Sequence, residues 1–184
     1  MSEANQPVFY YELGSPGCYF AAERIMSTLP VVPEWEPVLG QELGLVEGEP
    51  DWEAIARLAA EQGVQPLRPP PTWPPETRLA MLAATYAKRV GRAVAFSLAA
   101  FRQEFAGGRD LGEQETVLIA AAACEMHPTA LLKGVGLRSV GEALEQANHR
   151  ALAVGVRALP AIEAYGRVFE GGDAVEEAAA ALSP

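Results

Sequence analysis

Two short segments of the 184-residue chain carry residues that could do chemistry, and they lie far apart in the sequence. The first is Gly14-Ser15-Pro16-Gly17-Cys18, which follows an apolar run. Ser followed by Pro is typical of a helix start with Ser as the N-cap. Cys18 would then lie in the first turn, where the helix dipole and unpaired N–H groups stabilise a thiolate. The alternative is a simple cap with Cys18 packed as a small apolar residue.

The second segment is Val156-Arg157-Ala158-Leu159-Pro160, directly before a predicted strand. A trans bond before Pro160 is the commoner state, since only roughly 5–6% of X–Pro bonds in folded proteins are cis. A cis bond would turn the backbone N–H and C=O of Leu159 outward. These groups could then pair with an extended peptide or with a cysteine-containing ligand.

The first half of the chain predicts a strand, a helix and a second strand. Residues Val8–Leu13 are aromatic and β-branched, which is typical of a buried strand. The helix opened by Ser15-Pro16 ends before Pro30. Charged and apolar residues alternate over Glu34–Leu39, and Pro37 within this second strand predicts a sheet edge or a bulge.

The end of the chain predicts a hairpin and a last helix. Ala161–Tyr165 and Val168–Glu170 have strand character, and Gly166-Arg167 between them is expected to form the turn. Asp173 follows a glycine pair and is a good N-cap for the final helix.

A helical block separates the two strand-containing parts. Six prolines between Pro66 and Pro75 predict a stiff connector, and helical periodicity from Glu76 onward predicts four or five helices. The order β-α-β, helices, β-β-α predicts an α/β fold with one mixed four-stranded sheet. We assign residues 1–50 and 155–184 to the sheet domain and residues 51–154 to an all-helical insertion.

The ordered set of motifs resembles the thioredoxin superfamily in its DsbA-like branch. It is most similar to the 2-hydroxychromene-2-carboxylate isomerases and the kappa-class glutathione transferases. Those proteins have Ser-Pro-x-x-Tyr after their first strand, where thioredoxins have Cys-x-x-Cys, and Ser15 to Tyr19 match this pattern. The remaining similarity lies in Pro37-Val38-Leu39-Gly40, Trp73-Pro74, Gly155 to Pro160 and Phe169 to Asp173.

This resemblance implies a thioredoxin-like fold and an oxidoreductase or isomerase that uses glutathione or another low-molecular-weight thiol. It implies that Ser15 contacts the sulfur of the ligand and that Leu159, before a cis Pro160, pairs with the backbone of the ligand. It also implies that Asp173 helps to bind the γ-glutamyl end of glutathione. The helical block would form a pocket for an apolar or aromatic substrate, and the family tendency is towards homodimers.

Three departures from the family pattern, Gly17, Ala161 and Ala174, favour an alternative, a non-catalytic thioredoxin-fold binding protein. A second alternative is a mono-thiol oxidoreductase that uses Cys18. A two-cysteine oxidase is disfavoured because the hydroxyl of Ser15 cannot form a disulfide and such exchange needs two sulfurs.

Composition limits the partners and the compartment. The formal net charge of −10 and the pI near 4.7 argue against nucleic acid and anionic membranes as partners. The apolar runs are too short to span a bilayer, and Met1–Pro7 has no signal-peptide character, so a cytoplasmic location is expected. The spacing of His127 and His149 predicts no metal site.

Overall fold

The computed structural model describes residues 6–45 and 48–183, and a four-stranded sheet lies at its centre. The strands are β1 (Val8–Tyr11), β2 (Glu34–Pro37), β3 (Ala161–Ala164) and β4 (Arg167–Glu170). Their order in the sheet is β2-β1-β3-β4. The β1–β2 pair is parallel, and the β1–β3 and β3–β4 pairs are antiparallel. The predicted mixed sheet built from a β-α-β and a β-β-α half is confirmed.

Helices follow in the predicted places, and five of them lie between the proline-rich connector and β3. The helices are α1 (Pro16–Thr28), α2 (Trp52–Glu61), α3 (Arg78–Arg89), α4 (Ala93–Phe101), α5 (Gln114–Ala123), α6 (Pro128–Val135), α7 (Arg138–Val154) and α8 (Ala174–Leu182). A short 3₁₀-helix covers Gly40–Leu43, and a π-helical turn, Arg102–Ala106, continues α4. None of the helices in the described part of the chain combines the length and apolar character that a bilayer span requires.

Strand β2 lies at the edge of the sheet, as Pro37 predicts, because proline has no N–H to donate to a further strand. The side chain of Glu36 in this strand is nearly buried and makes two ion pairs. Its Oε2 accepts bonds from Lys88 of α3 at 2.7 Å and from Arg150 of α7 at 2.8 Å. These pairs connect the edge strand to two helices of the helical block.

The turn between β3 and β4 lies one residue earlier than predicted. Tyr165 and Gly166 form it, both with positive φ, at 52° and 73°. Two positive-φ residues match the twist of a two-residue hairpin, and glycine adopts this conformation without steric cost. The prediction that Gly166 and Arg167 form the turn was wrong, because an aromatic residue such as Tyr165 favours a strand.

The two faces of β1 pack against different helices because successive side chains point in opposite directions. Phe9 and Tyr11 lie in the main core, which joins the sheet to α1, α8 and the helical block. Tyr10 faces a smaller cluster that includes Ala147 and Ala151 of α7. The hydroxyl of Tyr11 and that of Ser97 in α4 lie 2.7 Å apart in the interior, which connects the sheet to the helical block by a hydrogen bond.

Glu104, in the π-helical turn, is a carboxyl group with 0% exposure. Its Oε2 accepts the N–H of Leu111 at 2.8 Å, and its Oε1 has no hydrogen-bond partner among the described residues. Burial raises the pKa of Glu104 from 4.5 to about 8, and the nearby charge of Asp110 adds to the rise. The folded protein therefore favours the protonated acid at neutral pH.

A prediction on stability against pH follows from this raised pKa. Between pH 4.5 and about 8, the folded state retains a proton on Glu104 that the unfolded chain has released. The contribution of this proton to the free energy of unfolding is fully present below pH 4.5. It falls by about 1.4 kcal/mol per pH unit as the pH rises and is lost above about pH 8.

The measurement is urea denaturation of the wild type and of Glu104→Gln, from about pH 5 to about pH 9. Glutamine has a similar shape but does not titrate, so the free energy of unfolding of the wild type relative to that of the variant should fall as the pH rises. A difference between the two proteins that stays constant across this pH range would contradict the raised pKa of Glu104.

Candidate functional site

A cleft of about 600 Å³ opens where the start of α1 meets the loop before β3. Four parts of the chain supply its walls, and the lining residues are Glu12, Gly14, Ser15, 39–41, 44–45, 73–77 and 157–159. The volume is within the roughly 300–1,000 Å³ that is usual for small-molecule sites. Both segments that the sequence analysis singled out therefore meet at one cleft.

The pairing of β1 with β3 explains this meeting. The two strands are antiparallel, with Val8 opposite Glu163 and Tyr10 opposite Ala161. The end of β1, which leads to Ser15, therefore lies beside the beginning of β3, which follows Pro160. Sheet hydrogen bonding thus brings together the start of α1 and the loop before β3.

Ser15 is the N-cap of α1, as the sequence predicts. Its backbone is extended, and its Oγ accepts a hydrogen bond from the N–H of Cys18 at 3.3 Å. Ser15 is 3% exposed and is one of the residues that line the cleft. The positive end of the helix dipole is directed to the same place, so the local field there favours a negative charge.

Pro160 supports the site from behind the cleft. The Leu159–Pro160 peptide bond is cis, and Pro160 is buried. A Cβ atom built on Gly17 would lie 3.2 Å from Cδ of Pro160 and 3.9 Å from the carbonyl oxygen of Leu159. The absence of a side chain at Gly17 therefore allows the first turn of α1 to pack closely on this loop.

Of the predicted site residues, Ser15 and Leu159 line the cleft, whereas Pro160, Cys18 and Asp173 do not. Cys18 is 0% exposed, and its Sγ accepts the N–H of Glu12 at 3.5 Å. Reaction at this thiol would need the start of α1 to open. Asp173 is exposed at the start of α8, and its side chain makes no capping bond.

Glu12 is a cleft residue that the sequence analysis missed. Its Oε2 accepts the N–H of Gly40 at 2.8 Å, and its Oε1 accepts the hydroxyl of Thr77 at 2.6 Å. Thr77 is the N-cap of α3, yet its hydroxyl binds Glu12 instead of capping that helix. The carboxylate thus connects two segments of the cleft wall, and no local sequence pattern signals partners so distant in the chain.

Trp73 forms an aromatic part of the wall, also missed as a site residue. Its ring packs edge-on against Trp52 of α2 at 5.3 Å, and its indole N–H donates to the carbonyl of Gly48 at 3.2 Å. Leu39, Leu45 and the neighbouring prolines make the same region apolar. In residues 6–45 and 48–183, no three His, Cys, Asp or Glu side chains are grouped so as to hold a metal ion.

Comparison with known proteins agrees with this architecture. Residues 44–183 match the model of the DSBA-like thioredoxin domain. A search of curated proteins gave no match. Among solved structures, a 2-hydroxychromene-2-carboxylate isomerase superposes with a TM-score of 0.82 at 15% identity, covering 96% of this chain and 93% of its own.

Two bacterial DsbA proteins also share the fold. A probable DsbA oxidoreductase from Streptomyces coelicolor has a TM-score of 0.77 at 15% identity, covering 97% of this chain and 88% of its own. The DsbA disulfide interchange protein of Klebsiella pneumoniae has a TM-score of 0.61 at 12% identity, covering 99% of this chain and 88% of its own. At these identities the likeness concerns the fold.

The burial of both cysteines predicts slow thiol chemistry in the native protein. Cys18 is 0% and Cys124 is 6% exposed, and burial raises the pKa of the Cys124 thiol. A chromogenic disulfide reagent near neutral pH should therefore react slowly with the folded protein. Both thiols should react quickly once guanidinium unfolds it. One fast-reacting thiol in the native state that Cys18→Ala removes would instead support the mono-thiol alternative.

Proposed function

The chain belongs to the family of DSBA-like thioredoxin domains, and from this premise we propose that it is a thiol-dependent isomerase or oxidoreductase. It holds glutathione or a similar small thiol at Ser15 and the Leu159–Pro160 loop. The observation that carries the proposal is that Ser15 and Leu159, far apart in sequence, line one cleft at the start of α1.

Ser15 and the first turn of α1 have the properties needed to hold a thiolate. Ser15 lines the cleft, and the dipole of the 13-residue helix α1 favours a negative charge at this end. Preorganised donors of this kind stabilise an anion without reorganising as the charge develops. The bound thiol would supply a nucleophilic sulfur, and Ser15 would orient it.

The cleft walls away from Ser15 would contact the part of the small thiol that extends beyond its sulfur, and a second, apolar substrate. Leu159 lines the cleft, and its backbone would pair with an extended ligand. Leu39, Leu45 and Trp73 present apolar surface that would exclude water from the sulfur. The cleft volume of about 600 Å³ lies within the usual range of small-molecule sites.

The position of the two motif residues favours isomerisation or thiol transfer over disulfide exchange. Exchange through a dithiol needs two sulfurs, and the chain has a serine at position 15 and a fully buried cysteine at position 18. The solved isomerase with the same fold is consistent with this choice. The alternative is a non-catalytic binding protein that keeps the cleft without the reaction.

Substitution of Ser15 tests the proposal. Ser15→Ala removes the hydroxyl and the helix cap, which should cost about 1 kcal/mol of stability, whereas Ser15→Gly removes the hydroxyl at a cost of only a few tenths. The wild type should bind glutathione with its thiol pKa lowered well below that of the free molecule. Both variants should lose this lowering, and turnover should fall about a hundredfold or more.

The measurements are thiolate absorbance of bound glutathione against pH and thermal stabilisation by glutathione, because a ligand that binds only the folded state raises stability. Ser27→Ala is the matched control, since that hydroxyl is exposed near the far end of α1 and bonds to the carbonyl of Arg24. Retention of a lowered thiol pKa in Ser15→Gly would contradict the role of the hydroxyl. A wild type that glutathione does not stabilise would favour the non-catalytic alternative.

A further inference from the structure

Arg157 is the one Lys, Arg or His side chain among the described residues that line the cleft. It lies in the loop between α7 and β3, two residues before Leu159, and it is exposed. Arg157 lies in one of the segments that carry the family resemblance, but neither that resemblance nor the proposed role of Ser15 gives it a function. Its position near Leu159 brings a guanidinium to a cleft whose other charged lining residues are acidic.

The backbone around Arg157 is held in place by Glu170 of β4. Oε1 of Glu170 accepts the backbone N–H groups of both Arg157 and Ala158, the latter at 2.8 Å. On the other side of the loop, the N–H of Gly171 donates to the carbonyl of Pro160 at 2.9 Å. The Arg157 side chain therefore extends from a well-anchored loop.

The guanidinium itself is only partly used. Its Nη1 donates to the carbonyl of Val156 at 2.8 Å. No ion pair with Arg157 occurs within residues 6–45 and 48–183. A guanidinium has five N–H donors in a planar fork whose geometry matches a carboxylate bidentately. Most of this donor capacity remains for a bound molecule.

Apart from the start of α1, the charged groups in the rest of the cleft lining are acidic. The other ionisable groups in its lining are Glu12 and Glu76, and the whole chain has a formal net charge of −10. Glu12 accepts bonds from Gly40 and Thr77, and Glu76 accepts the N–H of Arg78 at 3.0 Å. An anionic ligand would therefore depend on Arg157 for direct contact with a cationic side chain.

We propose that Arg157 forms a carboxylate-binding subsite at the edge of the cleft and selects carboxylated small molecules over neutral ones. The inference rests on the proposed function in taking the cleft as the ligand site. The carboxylate can come from the small thiol or from the second, apolar substrate. Both sources present the same chemistry to the guanidinium, and the experiment separates them.

The test compares paired probes that differ in carboxylate charge. Binding of glutathione, its dimethyl ester, naphthoate and naphthamide is measured by calorimetry for the wild type, Arg157→Gln and Arg157→Lys. Arg157→Gln should weaken binding of glutathione, naphthoate or both by about tenfold or more, as expected for a hydrogen bond between charged groups. Binding of the two probes without a carboxylate should weaken less than about twofold, and Arg157→Lys should be intermediate because it keeps the charge without the fork.

Arg138→Gln is the matched control, because it removes one positive charge from an exposed side chain paired with Glu142 on α7. It should leave all four affinities unchanged. A selective loss for glutathione assigns the carboxylate to the thiol, and a selective loss for naphthoate assigns it to the second substrate.

Three results would overturn the subsite. They are unchanged binding of both carboxylates in Arg157→Gln, an equal loss for the neutral probes, and a wild type that binds neither carboxylate. If the wild type binds naphthoate in an Arg157-dependent way but does not bind glutathione, the thiol proposal fails and the subsite stands.

Discussion

The antiparallel pairing of β1 with β3 is the constraint on which the rest of the site depends. The pairing sets Tyr10 opposite Ala161, so the end of the first strand and the beginning of the third share one end of the sheet. Ser15 and Leu159 reach the same cleft for that reason. A one-residue slip of this register would reverse the faces of the sheet and turn Phe9 and Tyr11 out of the core. Core packing and site geometry are therefore determined by the same pairing.

Carboxylates hold the surrounding walls in an acidic protein. Glu12 connects Gly40 to Thr77, as described above. Glu42, in the 3₁₀-helix, binds Arg78 of α3 at 2.6 Å and the amide of Asn148 in α7 at 2.6 Å. Some of the carboxylates that give the chain its net charge of −10 thus accept hydrogen bonds that connect segments distant in the sequence. Against this background, the single cation in the described cleft lining is a specific feature rather than a part of a basic surface.

Patterns local in the chain predicted most of the fold and part of the site. Alternation and aromatic content identified the strands, proline identified the edge position of β2, and Ser followed by Pro identified the start of α1. The turn at Tyr165 was misplaced because propensity favoured a strand there. The role of Glu12 was not predictable, because its partners are 28 and 65 residues away in the chain. For Cys18 the sequence left a stabilised thiolate and a packed side chain open, and the structure has the packed side chain, because burial depends on tertiary packing.

Mapping of glutathione binding by nuclear magnetic resonance tests whether the segments at Ser15 and Leu159 form one ligand site. Amide resonances of the isotope-labelled wild type are followed as glutathione is added. If they form one site, the largest shifts occur at Gly14, Ser15, Gly17 and Leu159, on both sides of the cleft at once. Shifts confined to another surface, such as α5 and α6, would contradict it, as would shifts on only one of the two segments that β1 and β3 bring together.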